Sequence, residues 1–162
     1  MAVTSRATVR VTDRRVLAIA LDAIGDTRPL WEAWLDSARA VLEIDPESIP
    51  EDRGEAAAAL DAAGAGNWRT LLERFAEDHA PAYLRRDASV SAILQSLAGS
   101  GATMGVFTDA PEPLAQVALA QLGAARRASQ IETGTGALER LLESVGADAE
   151  VVRTRADLLA AL

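Results

Sequence analysis

A chain of 162 residues with 49% apolar composition can build one domain around its own core and is too hydrophobic to be disordered. Its net charge of −8 repels phosphate backbones and argues against a nucleic-acid partner, and its 16 basic residues are all arginine, which excludes chemistry that needs a lysine amine. Cysteine is absent, which excludes disulfides, thiolate nucleophiles and zinc–cysteine sites.

Residues 1–14 read as a polar, irregular arm. Met1 to Arg10 contains no apolar stretch of leader length, and no apolar run approaches the ~20 residues of a membrane span, so a soluble, cytoplasmic protein is expected. Val16 to Leu21 is a short continuous apolar run closed by Asp22 and Gly25, the signature of a buried parallel strand. Asp26-Thr27-Arg28-Pro29 opens a helix, because proline is tolerated in a first turn. Leu30, Trp34, Leu35, Ala38, Val41 and Leu42 keep its apolar spacing as far as Asp45-Pro46. Ser48 to Glu51 opens a second helix taking in Ala56 to Leu60, and a third runs from Trp68 to about His79, where Pro81 ends it.

The pattern then alternates. A helix over Asp87 to Leu97 leads into a strand from Thr103 to Phe107, and Pro111 and Pro113 start a helix that stops at Gly123. A third strand is expected at Ser129 to Glu132, a helix at Ala137 to Val145, a short strand at Glu150 to Val152 and a helical tail over Ala156 to Leu162. Such alternation predicts an α/β domain, a Rossmann-like three-layer sandwich with a parallel sheet and right-handed crossovers. The helical stretch between the first two strands is too long for a crossover and reads as an inserted helical cap.

Three features in this order resemble the haloacid dehalogenase superfamily: the strand running into Asp22 and Asp26-Thr27-Arg28-Pro29, the helical insertion leading through Tyr83-Leu84-Arg85, and Val106-Phe107-Thr108-Asp109 followed by a helix closing in Leu122-Gly123. The resemblance implies a core of residues 1–29 and 86–162, with residues 30–85 as the cap. It also implies a phosphatase-type site: an aspartate at the end of the first strand attacks phosphorus, and a second aspartate two residues on is the acid and base. A Ser or Thr and a lysine hold the phosphate, and further aspartates bind Mg2+.

This sequence keeps only part of that set. In the preferred register Ala20 takes the nucleophile position and Asp22 that of the acid/base. In a second, Asp22 is the nucleophile and Ile24 the acid/base; in a third, anchored on Asp26-Thr27, Asp22 has neither role. Thr108 and Asp109 match the phosphate-binding position, Arg126 or Arg127 stands in for the missing lysine, and Asp22 and Asp157 are the residual metal ligands. Arg153 and Arg155 replace the expected acidic neighbourhood after the last strand and oppose a divalent cation.

Each residue also has a plainer role. Asp22 caps a loop or pairs with arginine, and Thr108 and Asp109 cap the next helix. Gly134-Thr135-Gly136 is a turn rather than an anion cradle, His79 is a surface residue, and Trp31, Trp34 and Trp68 pack in the cap rather than lining a slot. Arg85-Arg86 and Arg126-Arg127 are solvated. Two functions follow: a pseudo-phosphatase that binds a phosphorylated small molecule or a protein partner, with no cofactor, or a phosphoglycolate-phosphatase-like hydrolase using Asp22, Thr108 and Asp109 or Asp157 with Mg2+.

Overall fold

A computed structural model describes residues 14–162, so the arm expected over 1–14 lies, but for its last residue, outside the described residues. β1 (Val16–Ala20) is followed by a one-turn helix α1 (Leu21–Ile24), then by α2 (Arg28–Leu42), a 3-10 turn at Pro46–Ser48, α3 (Arg53–Ala62), α4 (Trp68–Tyr83) and α5 (Ala88–Gly99). The chain re-enters the sheet as β2 (Thr103–Thr108) and continues through α6 (Glu112–Gln121), β3 (Gln130–Thr133), α7 (Ala137–Val145), β4 (Glu150–Val152) and α8 (Arg155–Leu159).

The sheet has the order β3-β2-β1-β4, and every pairing is parallel. The architecture is therefore the expected α/β, Rossmann-like one. Residues alternate across the strands, and the register sets Leu17 beside Met104 and Ile19 beside Val106. These four buried side chains belong to the main core with Ile24, Leu94 and Leu97. The alternate positions, Ala18 and Gly105, are small, and α7 packs there through Leu141. A methyl on Gly105 would stand 2.6 Å from Leu141 Cδ1, so the missing side chain sets how close α7 lies to the sheet.

Several boundaries differ from the expected ones for local reasons. α3 starts at Arg53, because the Asp52 carboxylate accepts from Glu55 N at 2.8 Å and makes Asp52 the cap. Pro46 starts the preceding 3-10 turn, capped by Asp45. α4 does not end before Pro81 but runs through it to Tyr83. Proline removes one bond, to the carbonyl of exposed Glu77, and the final turn still closes through Leu84 N to Ala80 O at 2.7 Å. Asp87 caps α5 by accepting from Val90 N at 3.0 Å.

The three tryptophans pack as a buried series, with ring centroids 5.2 Å apart for Trp31–Trp34 and 5.9 Å for Trp34–Trp68. The Trp68 indole N–H donates to Asp61 at 2.9 Å, so its one polar atom is satisfied at the edge of the cluster. The cluster joins α2 to α4 and is continuous with the hydrophobic core of the sheet. Replacing Trp34, which stands between the other two rings, by alanine is expected to lower unfolding stability by about 3–5 kcal/mol. Urea denaturation followed by circular dichroism measures this, and an effect below about 1 kcal/mol would place the cluster outside the cooperative core.

Candidate functional site

The turns that follow parallel strands gather at the carboxyl edge of the sheet, where an open α/β sheet forms its cleft. β1 delivers Ala20 and Asp22 to this edge, β2 delivers Thr108 and Asp109, and β3 delivers the loop Gly134-Thr135-Gly136. Together with Asp52 they line a cavity of about 280 Å3. Asp22 and Thr108-Asp109, singled out in the sequence, are thus brought together.

What holds the edge together is Arg53, a residue the sequence reading passed over. It is the first residue of α3, and its side chain is 1% exposed. Its backbone N–H donates to Asp109 Oδ2 at 2.9 Å, and its guanidinium donates to Asp109 Oδ1 from Nη2 at 2.8 Å and from Nε at 3.2 Å. Nη1 donates to the hydroxyl of fully buried Thr27 at 2.5 Å. Nη2 also lies 3.8 Å from Asp22 Oδ1. Arg28 adds a weaker contact to Asp109 Oδ2 at 3.8 Å and donates to the Glu51 carbonyl at 3.2 Å. Asp109 therefore takes the place of an anion at a helix start, held by a first-turn N–H and a planar guanidinium fork. A Gly at position 54 and an Arg just after a capping Asp were the available sequence signals, since a glycine in a first helical turn marks a close approach.

That approach is to the β3–α7 loop. A methyl on Gly54 would lie 2.3 Å from Thr135 Oγ1 and 2.5 Å from Thr135 N. The loop's two glycines have positive φ, +79° at Gly134 and +72° at Gly136, the latter serving as the cap position of α7. Arg140 donates to the carbonyls of Thr133 and Thr135, and Ala137 N donates to Gly134 O at 3.3 Å. The loop is thus a braced turn that also forms one wall of the cavity.

The two aspartates differ electrostatically. For Asp22 burial is the largest influence and raises its pKa; Asp26 and Asp109 push the same way, against Arg53 and Arg28. Its side chain is nonetheless 56% exposed. Asp109 also loses solvation, but its hydrogen bonds from Arg53 outweigh that, and its carboxyl titrates below the usual range.

The remaining expected residues fall elsewhere. Thr108 is buried, and its hydroxyl accepts from Ala110 N at 3.2 Å; neither it nor Asp109 caps α6, whose cap position is Pro111. Arg126 and Arg127 precede β3 and stand at the amino edge of the sheet, so they do not replace a lysine beside Thr108 and Asp109; the cation at that place is Arg53. This corrects the expected place of Arg126 and Arg127: the α6–β3 turn delivers them to the strand's start, away from Thr108 and Asp109. Asp157 lies in the first turn of α8, exposed, its N–H bonded to Thr154 Oγ1 at 3.1 Å, while Arg155 pairs with Asp87. His79 is exposed, stacked on Phe75 at 4.0 Å with Nδ1 at 2.9 Å from the Phe75 carbonyl. The tryptophans are buried and do not line the cavity.

Mg2+ does not fit the donors present. Among the described residues no group of three or more His, Cys, Asp or Glu side chains assembles, and Asp22 and Asp109 face the Arg53 guanidinium, which opposes a dication.

Three outcomes follow. Arg53→Met should destabilise the fold by about 3–5 kcal/mol, because it leaves partly buried Asp109 without its cation; urea unfolding at neutral pH reads this. Gly54→Ala should separate α3 from Thr135, since one of the clashes is with backbone, and should lower the melting temperature. The aspartates should show opposite pH signatures. The native pKa of Asp109 lies below its unfolded value, so its contribution is present above about pH 4 and lost as pH falls through the native pKa. Asp109→Asn should therefore destabilise at pH 7, and the difference should shrink in acid. The native pKa of Asp22 is raised, so its charge costs stability above that value, and Asp22→Asn should stabilise at pH 7 with a gain that fades in acid. Melting curves from pH 3 to 8 test both, and parallel profiles for the two variants would contradict the assignment.

No protein-family model matches the sequence, and no curated protein matches it. Among solved structures, the chain is similar to a Thermotoga maritima protein assigned as a beta-phosphoglucomutase, with 15% identity and a TM-score of 0.48 over 91% of this chain and 81% of that one. So loose a correspondence carries no argument about chemistry. The α/β fold rests on the strand order and parallel register. No helix among the described residues is long and apolar enough to cross a membrane.

Proposed function

We propose that this chain is a haloacid dehalogenase-like protein that has lost phosphoester hydrolysis and works by binding. Its ligand is a phosphorylated small molecule or a segment of a protein partner, seated in the cavity between Asp22 and the Gly134-Thr135-Gly136 loop. In this reading residues 30–85 are the cap, residues 1–29 and 86–162 the core, and the protein works in the cytoplasm.

The observation that carries the reading is the commitment of Arg53. A phosphoryl-transfer site needs positive charge directed at the oxygens of the transition state. Here the buried guanidinium is engaged internally, on Asp109, Thr27 and Asp22. Ala20 supports it further: β1 ends at a residue that cannot attack phosphorus, with Asp22 two residues on, as in the preferred register. Without a nucleophile and without a dication the covalent route has no first step, and catalytic units of this kind lose activity together rather than in fractions.

One observation favours the second reading, an active phosphoester hydrolase with rearranged residues. Asp22 lines the cavity, and burial raises its pKa, which suits a proton donor. The test is hydrolysis of p-nitrophenyl phosphate by the full chain with and without Mg2+. The expected result is no turnover above that of Asp22→Asn; turnover that Asp22→Asn abolishes would establish the hydrolase and overturn the proposal. Binding is read separately, as a rise in melting temperature with a phosphate ester that Thr135→Tyr, which fills the cavity, removes.

A further inference from the structure

The amino edge of the sheet carries a second concentration of charge, opposite in sign to the protein. Arg86, from the turn before α5, and Arg126 and Arg127, from the turn before β3, line one cavity of about 820 Å3. No acidic residue contributes to its lining, although the chain as a whole carries a net charge of −8. From this geometry we infer a second site, distinct from the cleft at the carboxyl edge, which binds the phosphate group of a small molecule with a compact apolar body.

Arg86 is fixed in place before any ligand arrives. Its Nε donates to the Gln121 carbonyl at 3.1 Å, meeting one of the open carbonyls at the end of α6. Its guanidinium lies against Gly123, whose φ of +72° turns the chain there and whose missing side chain leaves the room: a methyl would stand 3.0 Å from Arg86 Cζ. Glu73 and Glu77 of α4 border a neighbouring groove that shares Arg86, and neither forms an ion pair with it.

Arg126 and Arg127 differ from Arg86. Both are exposed, and neither forms an ion pair among the described residues. Like charges gathered in one concavity repel unless an anion is shared among them, and a guanidinium offers paired N–H groups matched to phosphate oxygens. The cavity's other walls are Met104 and small residues, chiefly alanine, which offer apolar contact but no hydrogen-bonding pattern. Its volume falls within the ordinary range for small-molecule sites. An anion with an apolar body of modest size satisfies both parts of the lining, whereas a bare anion uses only the arginines.

Isothermal titration of the full chain with phenyl phosphate and with inorganic phosphate, both without metal, tests the site. Saturable binding of both is expected, tighter for the phenyl ester and weaker as salt rises. The double variant Arg126→Gln, Arg127→Gln should weaken it roughly tenfold or more, as loss of charge-assisted hydrogen bonds does. Thr135→Tyr, at the opposite edge, should leave it unchanged. Absence of saturable binding, binding indifferent to the arginine substitutions, or binding lost in Thr135→Tyr would each overturn the inference, and the last would move the ligand to the carboxyl-edge cleft.

Discussion

The carboxyl edge of this domain is organised by one buried cation. Arg53 opens α3, yet its side chain and backbone N–H both serve Asp109, at the far end of β2. A guanidinium that is 1% exposed is tolerated only where its donors are met, and here a carboxylate and a threonine hydroxyl meet them. No buried side-chain N or O atom among the described residues lacks a partner. Through this contact the helices between β1 and β2 are tied to the strand ends, and Gly54 then brings α3 against the β3–α7 loop.

The same contact determines what the cleft can do. Positive charge at the end of parallel strands is a resource for anion chemistry, and this chain uses it structurally. A dication would compete with Arg53 for Asp109, and that exchange would disturb the joint between α3 and β2. Of the two carboxylates facing Arg53, Asp22 is the one held loosely, 3.8 Å from the guanidinium and more than half exposed. It is accordingly the residue on which any residual proton chemistry would rest.

Charge is distributed unevenly between the two edges. At the carboxyl edge Arg53 and Arg28 are met by aspartates, whereas at the amino edge three arginines share a cavity with no acidic wall. The sheet separates them, so each edge can engage its own ligand without sharing a residue with the other.

Much of this was legible in the residues themselves. The apolar run at Val16–Leu21, the helical stretch from Asp87 to Leu97 and the alternation after residue 101 all report local preferences, and those locate strands and helices wherever they stand in space. Absent lysine and cysteine excluded whole chemistries for the same reason, since composition needs no geometry. Asp22 and Thr108-Asp109 were found because strand ends are local features. Arg53 was not, because its meaning lies in a partner 56 residues away; Gly54 beside it signals a close approach but not which residue is approached. Arg126 and Arg127 were assigned to the wrong edge for a related reason: a sequence shows that two arginines adjoin a strand, and only the path of the chain through the sheet decides at which end of it they stand. Local physics determined which elements this protein has, and long-range pairing across its parallel strands decided which charges meet.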